Sequence, residues 1–267
     1  MRIWHQSFTV LEDVPDYRDA MVEHFKRVCS PGTQIDMFGM RPGSYPSSYP
    51  GTHISFHHVS QVHKQQFIRA AIQAEAQGYD ALIIGTIPDT GFEEARSLVD
   101  IPVIAFGNAS VAFAATLGNC VGIVHFIPAL GEQIKRNMAM YGFGSLIGPI
   151  VRIQASFEQI GAGYADPAGV IAAFTTAAKE AIDRGANVII PGEGPLNMLL
   201  AKNGVTRIGD VPVIDSLGTL IQIAEARVAA HRRGLYPSRE GFYYAKPPQE
   251  ALDHIYRLYG SLEWEES

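Results

Sequence analysis

The sequence predicts an α/β protein of two pseudo-symmetric domains, each a mostly parallel sheet flanked by helices, with a candidate site in the cleft between them. Three observations carry this expectation. Short apolar runs rich in β-branched residues occur at 81–84, 103–106, 121–124, 188–190 and 211–214, each between helical stretches. Strands of that composition are buried on both faces of a parallel sheet covered by helices. Next, residues 67–86, FIRAAIQAEAQGYDALIIGT, align without a gap on residues 174–193, FTTAAKEAIDRGANVIIPGE. Phe67 pairs with Phe174, Ala70 and Ala71 with Ala177 and Ala178, Gly78 with Gly185, and Gly85 with Gly192. Lastly, DIPVI at 100–104 returns as DVPVI at 210–214. A period of about 110 residues exceeds that of solenoid repeats and suits a duplicated α/β domain. The first domain is expected over 1–112 and the second over 113–217, with 218–267 packing back on the first.

Each repeat reads as a helix, a glycine suited to end it, and a buried strand. A further strand is predicted over 34–38. A weaker match aligns Ile3-Trp4-His5 with Ile123-Val124-His125, placing a histidine at the end of each half's first strand.

The composition narrows the function classes. The chain has 267 residues, 47% hydrophobic and 18% charged, with net charge −6. That is a globular composition with no basic stripe for nucleic acid. Two cysteines, Cys29 and Cys120, are too few for a disulfide framework. The opening Met1-Arg2-Ile3-Trp4-His5 lacks the apolar core of a signal peptide. Residues 101–131 carry no Lys, Arg, Asp or Glu, but Gly107-Asn108, Gly118-Asn119 and Pro128 divide them into pieces too short for a membrane span. The expectation is a cytoplasmic protein that takes a small-molecule substrate and binds neither nucleic acid nor membrane.

Ligands of open parallel sheets bind beyond the carboxyl ends of the strands. The repeat puts His5, Thr86, His125 and Glu193 at such ends as two equivalent pairs, so all four are expected to converge on one cleft as catalytic residues. Glu193 lies in Ile190-Pro191-Gly192-Glu193-Gly194-Pro195, between a buried strand and a helix. Desolvation raises the pKa of a carboxyl there and suits it to acid–base work, while the helix N-terminus favours the anion. The competing reading is a solvated carboxylate that caps the helix. Asp89, Thr90 and Gly91 form a turn before a helix, and Asn108, Ser110 and Ser216 begin helices after strands. With Gly192 and Gly194 they are candidate substrate-binding residues, their free N–H groups being suited to an oxyanion or carboxylate. Simple N-capping explains Asn108, Ser110 and Ser216 equally well.

The opening strand, the stretch Gly78-Tyr79-Asp80-Ala81-Leu82-Ile83-Ile84-Gly85, the Asp89-x-Gly91 turn and Asp100-Ile101-Pro102-Val103-Ile104 resemble the hydantoin racemase branch of the aspartate/glutamate racemase superfamily. The resemblance runs to about Gly234. It implies two pseudo-symmetric α/β domains with the active site between them. It also implies one catalytic cysteine per half, acting as opposed acid and base on a carbon beside a carbonyl. The matching positions here are Thr86 and Glu193, and neither Cys29 nor Cys120 replaces a thiol. A threonine hydroxyl is too weak an acid to become a base unaided, so two-thiol racemisation is not expected.

The leading expectation is a cofactor-independent acid–base enzyme of isomerase or lyase type, acting on a small carboxylate or a hydantoin-like cyclic amide. Glu193 would be the acid or base, His125 and His5 would move protons, and Thr86 would hold an oxygen. One alternative is a hydrolase of a cyclic amide or thioamide-like ring with zinc or another divalent transition metal on His5, His125 and Glu193. Another is a non-catalytic small-molecule binder. The loop 41–51 reads as a lid or a plain connection, and His53 and His57 have helical spacing for a metal pair. The aromatic tail 235–267, with a helix expected after Pro247-Pro248, reads as a homo-oligomer contact or as packing on the first domain.

Overall fold

The structure, a computed structural model, describes residues 1–47 and 51–260. Ser48, Tyr49 and Pro50 of the 41–51 loop and Trp264 of the aromatic tail lie outside the described residues. Two parallel sheets organise the chain. The first contains β1 (Arg2–Gln6), β2 (Gln34–Phe38), β3 (Ala81–Ile84) and β4 (Val103–Ala105), in the order β2-β1-β3-β4. The second contains β5 (Val121–His125), β6 (Ile147–Arg152) and β7 (Val188–Pro191), in the order β6-β5-β7. Val213 joins Ile189 in a parallel bridge at the position β4 occupies in the first sheet. The strand expected over 211–214 is thus reduced. Only Val211 and Pro212 form a strand, β9, which pairs antiparallel with β8 (Arg207–Ile208).

The repeat becomes physical in the helices preceding β3 and β7. These are α3 (His57–Ala76) and α8 (Ala168–Asp183), the latter beyond α7 (Phe157–Ala162). α3 buries Phe67, Ala70, Ala71 and Ala74, and α8 buries Phe174, Ala177, Ala178 and Ala181, one face at helical spacing with small residues against the sheet. Both end in the same cap. Tyr79 N–H bonds Ala74 O and Gly78 N–H bonds Glu75 O, as Ala186 N–H bonds Ala181 O and Gly185 N–H bonds Ile182 O. That cap needs a left-handed residue, and Gly78 and Gly185 supply φ of 73° and 103°.

β6 went unpredicted because Gly148-Pro149 breaks its pattern, and Pro is tolerated there because β6 is an edge strand. The run over 103–106 ends one residue early, since Phe106 already opens α5 (Phe106–Ala114).

The halves are bound together by helices. α10 (Ser216–His231) packs on α5, β3 and β4, and α1 (Pro15–Val28) packs on α9 (Gly194–Lys202). In the first sheet Trp4 stacks on Phe38 and meets Tyr79 edge-on, and Arg2 pairs with Asp36. The tail is tied to the first half through Arg239 and Lys246, which both pair with Asp100. Its last helix, α11 (Gln249–Tyr259), starts directly after Pro248 and buries none of its residues. Among the described residues, no helix is long and apolar enough to cross a membrane.

Repeat-related glycines make room for repeat-related histidines. A Cβ on Gly85 would fall 2.2 Å from His5 Nε2, and one on Gly192 would fall 2.9 Å from His125 Cβ. Gly85→Ala is therefore expected to cost about 1–3 kcal/mol of stability by overpacking. In a His5→Ala background the penalty should shrink. Equal penalties in the two backgrounds, measured by denaturant unfolding, would show that His5 does not occupy this space.

Candidate active site

The four central strands end at one place. Residues 7–9 follow β1, residues 85–88 follow β3, residues 126–127 follow β5 and residues 193–195 follow β7, and all of these segments line one small cavity of about 50 Å³. This is the level at which parallel sheets hold ligands. A groove of about 470 Å³ abuts it and shares Ile54, Pro88, Ile127 and Leu130 as walls; its far side is α6 (Leu130–Met140).

Among the described residues Glu193 is the only carboxyl residue lining the smaller cavity, and it is 4% exposed. It occupies the N-cap position of α9, yet its side chain makes no capping bond. Instead Oε1 accepts from the N–H groups of Phe126 and Ile127 at 2.8 and 2.9 Å. Oε2 is buried with no partner among the described residues. Burial pushes the carboxyl up to about 8, against the two N–H groups and the nearby Arg152, which favour the anion. The reading as a solvated cap is thereby corrected. Near neutral pH the group is mostly the acid, and its proton belongs on Oε2 because Oε1 is already an acceptor twice.

The turn that Glu193 grips is itself fixed. Arg152 Nε donates to Phe126 O at 3.1 Å. His125 Nδ1 lies 3.1 Å from Ile127 O, so that nitrogen carries the hydrogen. Burial holds the pKa of His125 below its ordinary value and the ring stays neutral. A Cβ on Gly131 would fall 3.0 Å from His125 Nε2, so this nitrogen faces the start of α6. His5 is fully buried against Phe25 of α1, with ring centroids 5.3 Å apart. Neither of its nitrogens has a partner among the described residues, and burial lowers its pKa to about 4.

Of the four residues expected to converge, Thr86 and Glu193 line the cavity; His5 and His125 do not. Both histidines lie within strands, and alternation turns them to faces covered by helices. The zinc set of His5, His125 and Glu193 therefore does not assemble. Among the described residues, no three or more His, Cys, Asp or Glu side chains are grouped to hold a metal ion. His53 lies in α2 (Gly51–Ile54) while His57 begins α3, so they do not share a helix.

The other candidates divide. Gly194 lines the cavity, while Asp89, Thr90 and Gly91 line the groove. Asp89 Oδ1 and Oδ2 accept from the N–H groups of Gly107 and Asn108 at 2.6 and 2.8 Å. It clamps the start of α5, and burial raises its carboxyl to about 8. Its left-handed φ of 51° is uncommon for a residue with a side chain. The cradle expected at Asn108 is thus filled by the protein itself. At α10, Asn197 accepts from Leu217 N–H, and Asp215 accepts from Gly218 N–H. Asn108, Ser110, Ser216 and Gly192 line neither space.

Three polar residues of the cavity wall escaped the sequence reading: Ser7, Thr9 and Tyr17. Ser7 Oγ and Thr9 Oγ1 are 2.8 Å apart. They lie just beyond β1, where the strand-end argument would have reached them had it continued past His5. Cys29 follows α1 ahead of β2 and Cys120 precedes β5, so both lie toward the N-terminal ends of the strands, away from the cavity.

The sequence model of the Asp/Glu/Hydantoin racemase family matches residues 19–224. The chain belongs to that family. Its fold is shared with the allantoin racemase of Klebsiella pneumoniae, at TM-score 0.74 and 21% identity over 92% of this chain and 94% of that one. The allantoin racemase of Pseudomonas fluorescens gives 0.70 and 21%, over 92% and 97%. Arylmalonate decarboxylase gives 0.55 and 15%, over 85% and 92%. No curated protein matches the chain.

The Glu193 carboxyl makes a prediction that needs no substrate. Its pKa is raised from an ordinary 4.5 to about 8 in the folded chain. Below the ordinary value both states are neutral. As pH rises from there to about 8 the unfolded chain ionises first, so stability is lost across that window, on the order of a few kcal/mol. Glu193→Gln cannot ionise. Its melting temperature relative to wild type should climb between pH 5 and pH 8.5, and a difference independent of pH would contradict the buried acid.

Proposed function

We propose that the chain is a cofactor-independent enzyme of isomerase or lyase type that moves a proton on a small carboxylate or a hydantoin-like cyclic amide. The observation that carries this reading is Glu193, a buried carboxyl in the wall of a small cavity with one oxygen clamped and the other unpartnered. A buried carboxyl in a cavity wall with its pKa raised toward neutrality is suited to general acid–base catalysis.

The cavity is one-sided. Thr86, across from Glu193 by the repeat, is a hydroxyl that stays protonated. In a lyase step the carbon–carbon bond breaks, CO2 leaves, and Glu193 in its acid form gives its proton to the carbon; in an isomerisation the Glu193 carboxylate first takes the proton from that carbon and then returns it. The electron pair of the bond broken beside a carbonyl passes to the carbonyl oxygen, which the hydroxyl wall receives. The reactions named for proteins of this fold, allantoin and glutamate racemisation and arylmalonate decarboxylation, all concern a carbon next to a carbonyl. They define the compounds to try first.

The test is turnover of a panel of allantoin, substituted hydantoins, aspartate, glutamate and arylmalonates in deuterium oxide, followed by proton NMR and optical rotation. The active compound should lose at least about 100-fold in rate with Glu193→Gln, the scale of one acid–base group. Undiminished turnover in that variant would sink the assignment of Glu193. Turnover of none of the panel would sink the substrate class. The wild-type rate should fall as pH rises through about 8, where the acid form disappears. A rate that rises through the same range would make Glu193 the base.

A further inference from the structure

Tyr17 stands on α1, two residues past its start, with no motif around it. Its side chain is 4% exposed and lines the cavity with Glu193 and Thr86. A Cβ on Gly194 would fall 2.2 Å from the Tyr17 hydroxyl and 3.8 Å from Gly85 O. The hydroxyl therefore sits at the seam where the ends of β3 and β7 approach, between the residues next to Thr86 and Glu193. Gly194 has no side chain because the phenol needs that space.

Burial alone shifts Tyr17, upward, and no hydrogen bond contributes. Its neighbour Tyr164, with ring centroids 6.4 Å away, spends its own hydroxyl on Pro195 O at 2.8 Å. Among the described residues the Tyr17 hydroxyl makes no hydrogen bond, which is uncommon for a buried phenol. Glu193, whose Oε2 is buried and has no partner among the described residues, lines the same space.

We infer that the Tyr17 hydroxyl is a binding and catalytic donor that holds the substrate's carbonyl or carboxylate oxygen beside Glu193. It rests on the proposed function and adds the group that receives the negative charge. As a bond beside the carbonyl breaks, its electron pair moves onto that oxygen, and the phenol O–H donates to it while keeping its proton. Two neutral donors in a water-poor cavity stabilise such an oxygen without a charged partner. Cyclic amides and small carboxylates both present one.

The experiment is calorimetric titration of malonate and hydantoin into wild type, Tyr17→Phe and Glu193→Gln at pH 6.5, with turnover of the active panel compound beside it. Tyr17→Phe should weaken the bound probe at least 10-fold and lower kcat about 100- to 1000-fold, the scale of one lost donor of this kind. Its melting temperature should stay near wild type, because Phe keeps the ring. Should Tyr17→Phe fail to fold, Gly194→Ala provides the second arm, since its methyl displaces the hydroxyl without removing it and should weaken binding likewise. Binding and kcat within twofold of wild type in either folded variant, with Glu193→Gln impaired, would overturn the role of Tyr17 and leave the proposed function standing. Wild type that binds neither probe and turns over no panel compound would overturn both.

Discussion

The site depends on one carboxyl group that bridges two strand ends. Glu193 leaves β7 and reaches the first two N–H groups beyond β5, so the chain's own peptide groups replace the water that burial removed. That bridge decides several other features. It leaves the start of α9 without its usual cap, because the side chain in the capping position is engaged elsewhere. It asks the 126–127 turn to hold still, which Arg152 and His125 ensure from behind. It also divides the two oxygens, one an acceptor twice over and the other without a partner. A buried acid with this division has its proton on a defined atom, which is what proton delivery to a ligand requires.

Duplication built the frame, and divergence at a few positions gave the two halves different work. The helix caps at Gly78 and Gly185 and the packing of His5 on Gly85 and His125 on Gly192 survive in both halves. At the strand ends the symmetry stops. Thr86 and Glu193 occupy corresponding positions, but only one is a carboxyl. The first half places its buried carboxyl three residues later, at Asp89, and spends it on the start of α5. The second half spends its carboxyl on the turn and keeps one oxygen in reserve. An arrangement with a titratable group on one side only fits one-sided proton transfer, in contrast to the paired thiols that the family resemblance implies.

Much of this was legible in the sequence. The repeat gave the two-sheet α/β architecture because buried parallel strands and their covering helices leave strong, distinct periodicities. Thr86 and Glu193 were reachable because each is the second residue after a strand whose end the repeat aligns. The histidines were misplaced for a specific reason. The strand-end rule fixes the level of a residue along the sheet but not the face, and His5 and His125 fall on faces covered by α1 and α6. The helix starts at Asn108 and Ser216 looked like empty cradles because the side chains that fill them, Asp89 and Asn197, come from elsewhere in the chain. Tyr17 was invisible for the same reason. Only the packing of α1 across the seam brings it to the cavity, and its one local trace is a glycine at position 194.

The central claim is that Glu193 carries a proton in the folded protein near neutral pH. Infrared difference spectroscopy between wild type and Glu193→Gln, in deuterium oxide, reads it directly. The wild type at pH 6.5 is expected to show the carbonyl stretch of a protonated carboxyl, replaced by carboxylate bands as pH passes about 8. Carboxylate bands throughout, with no protonated carbonyl above pH 5, would contradict it.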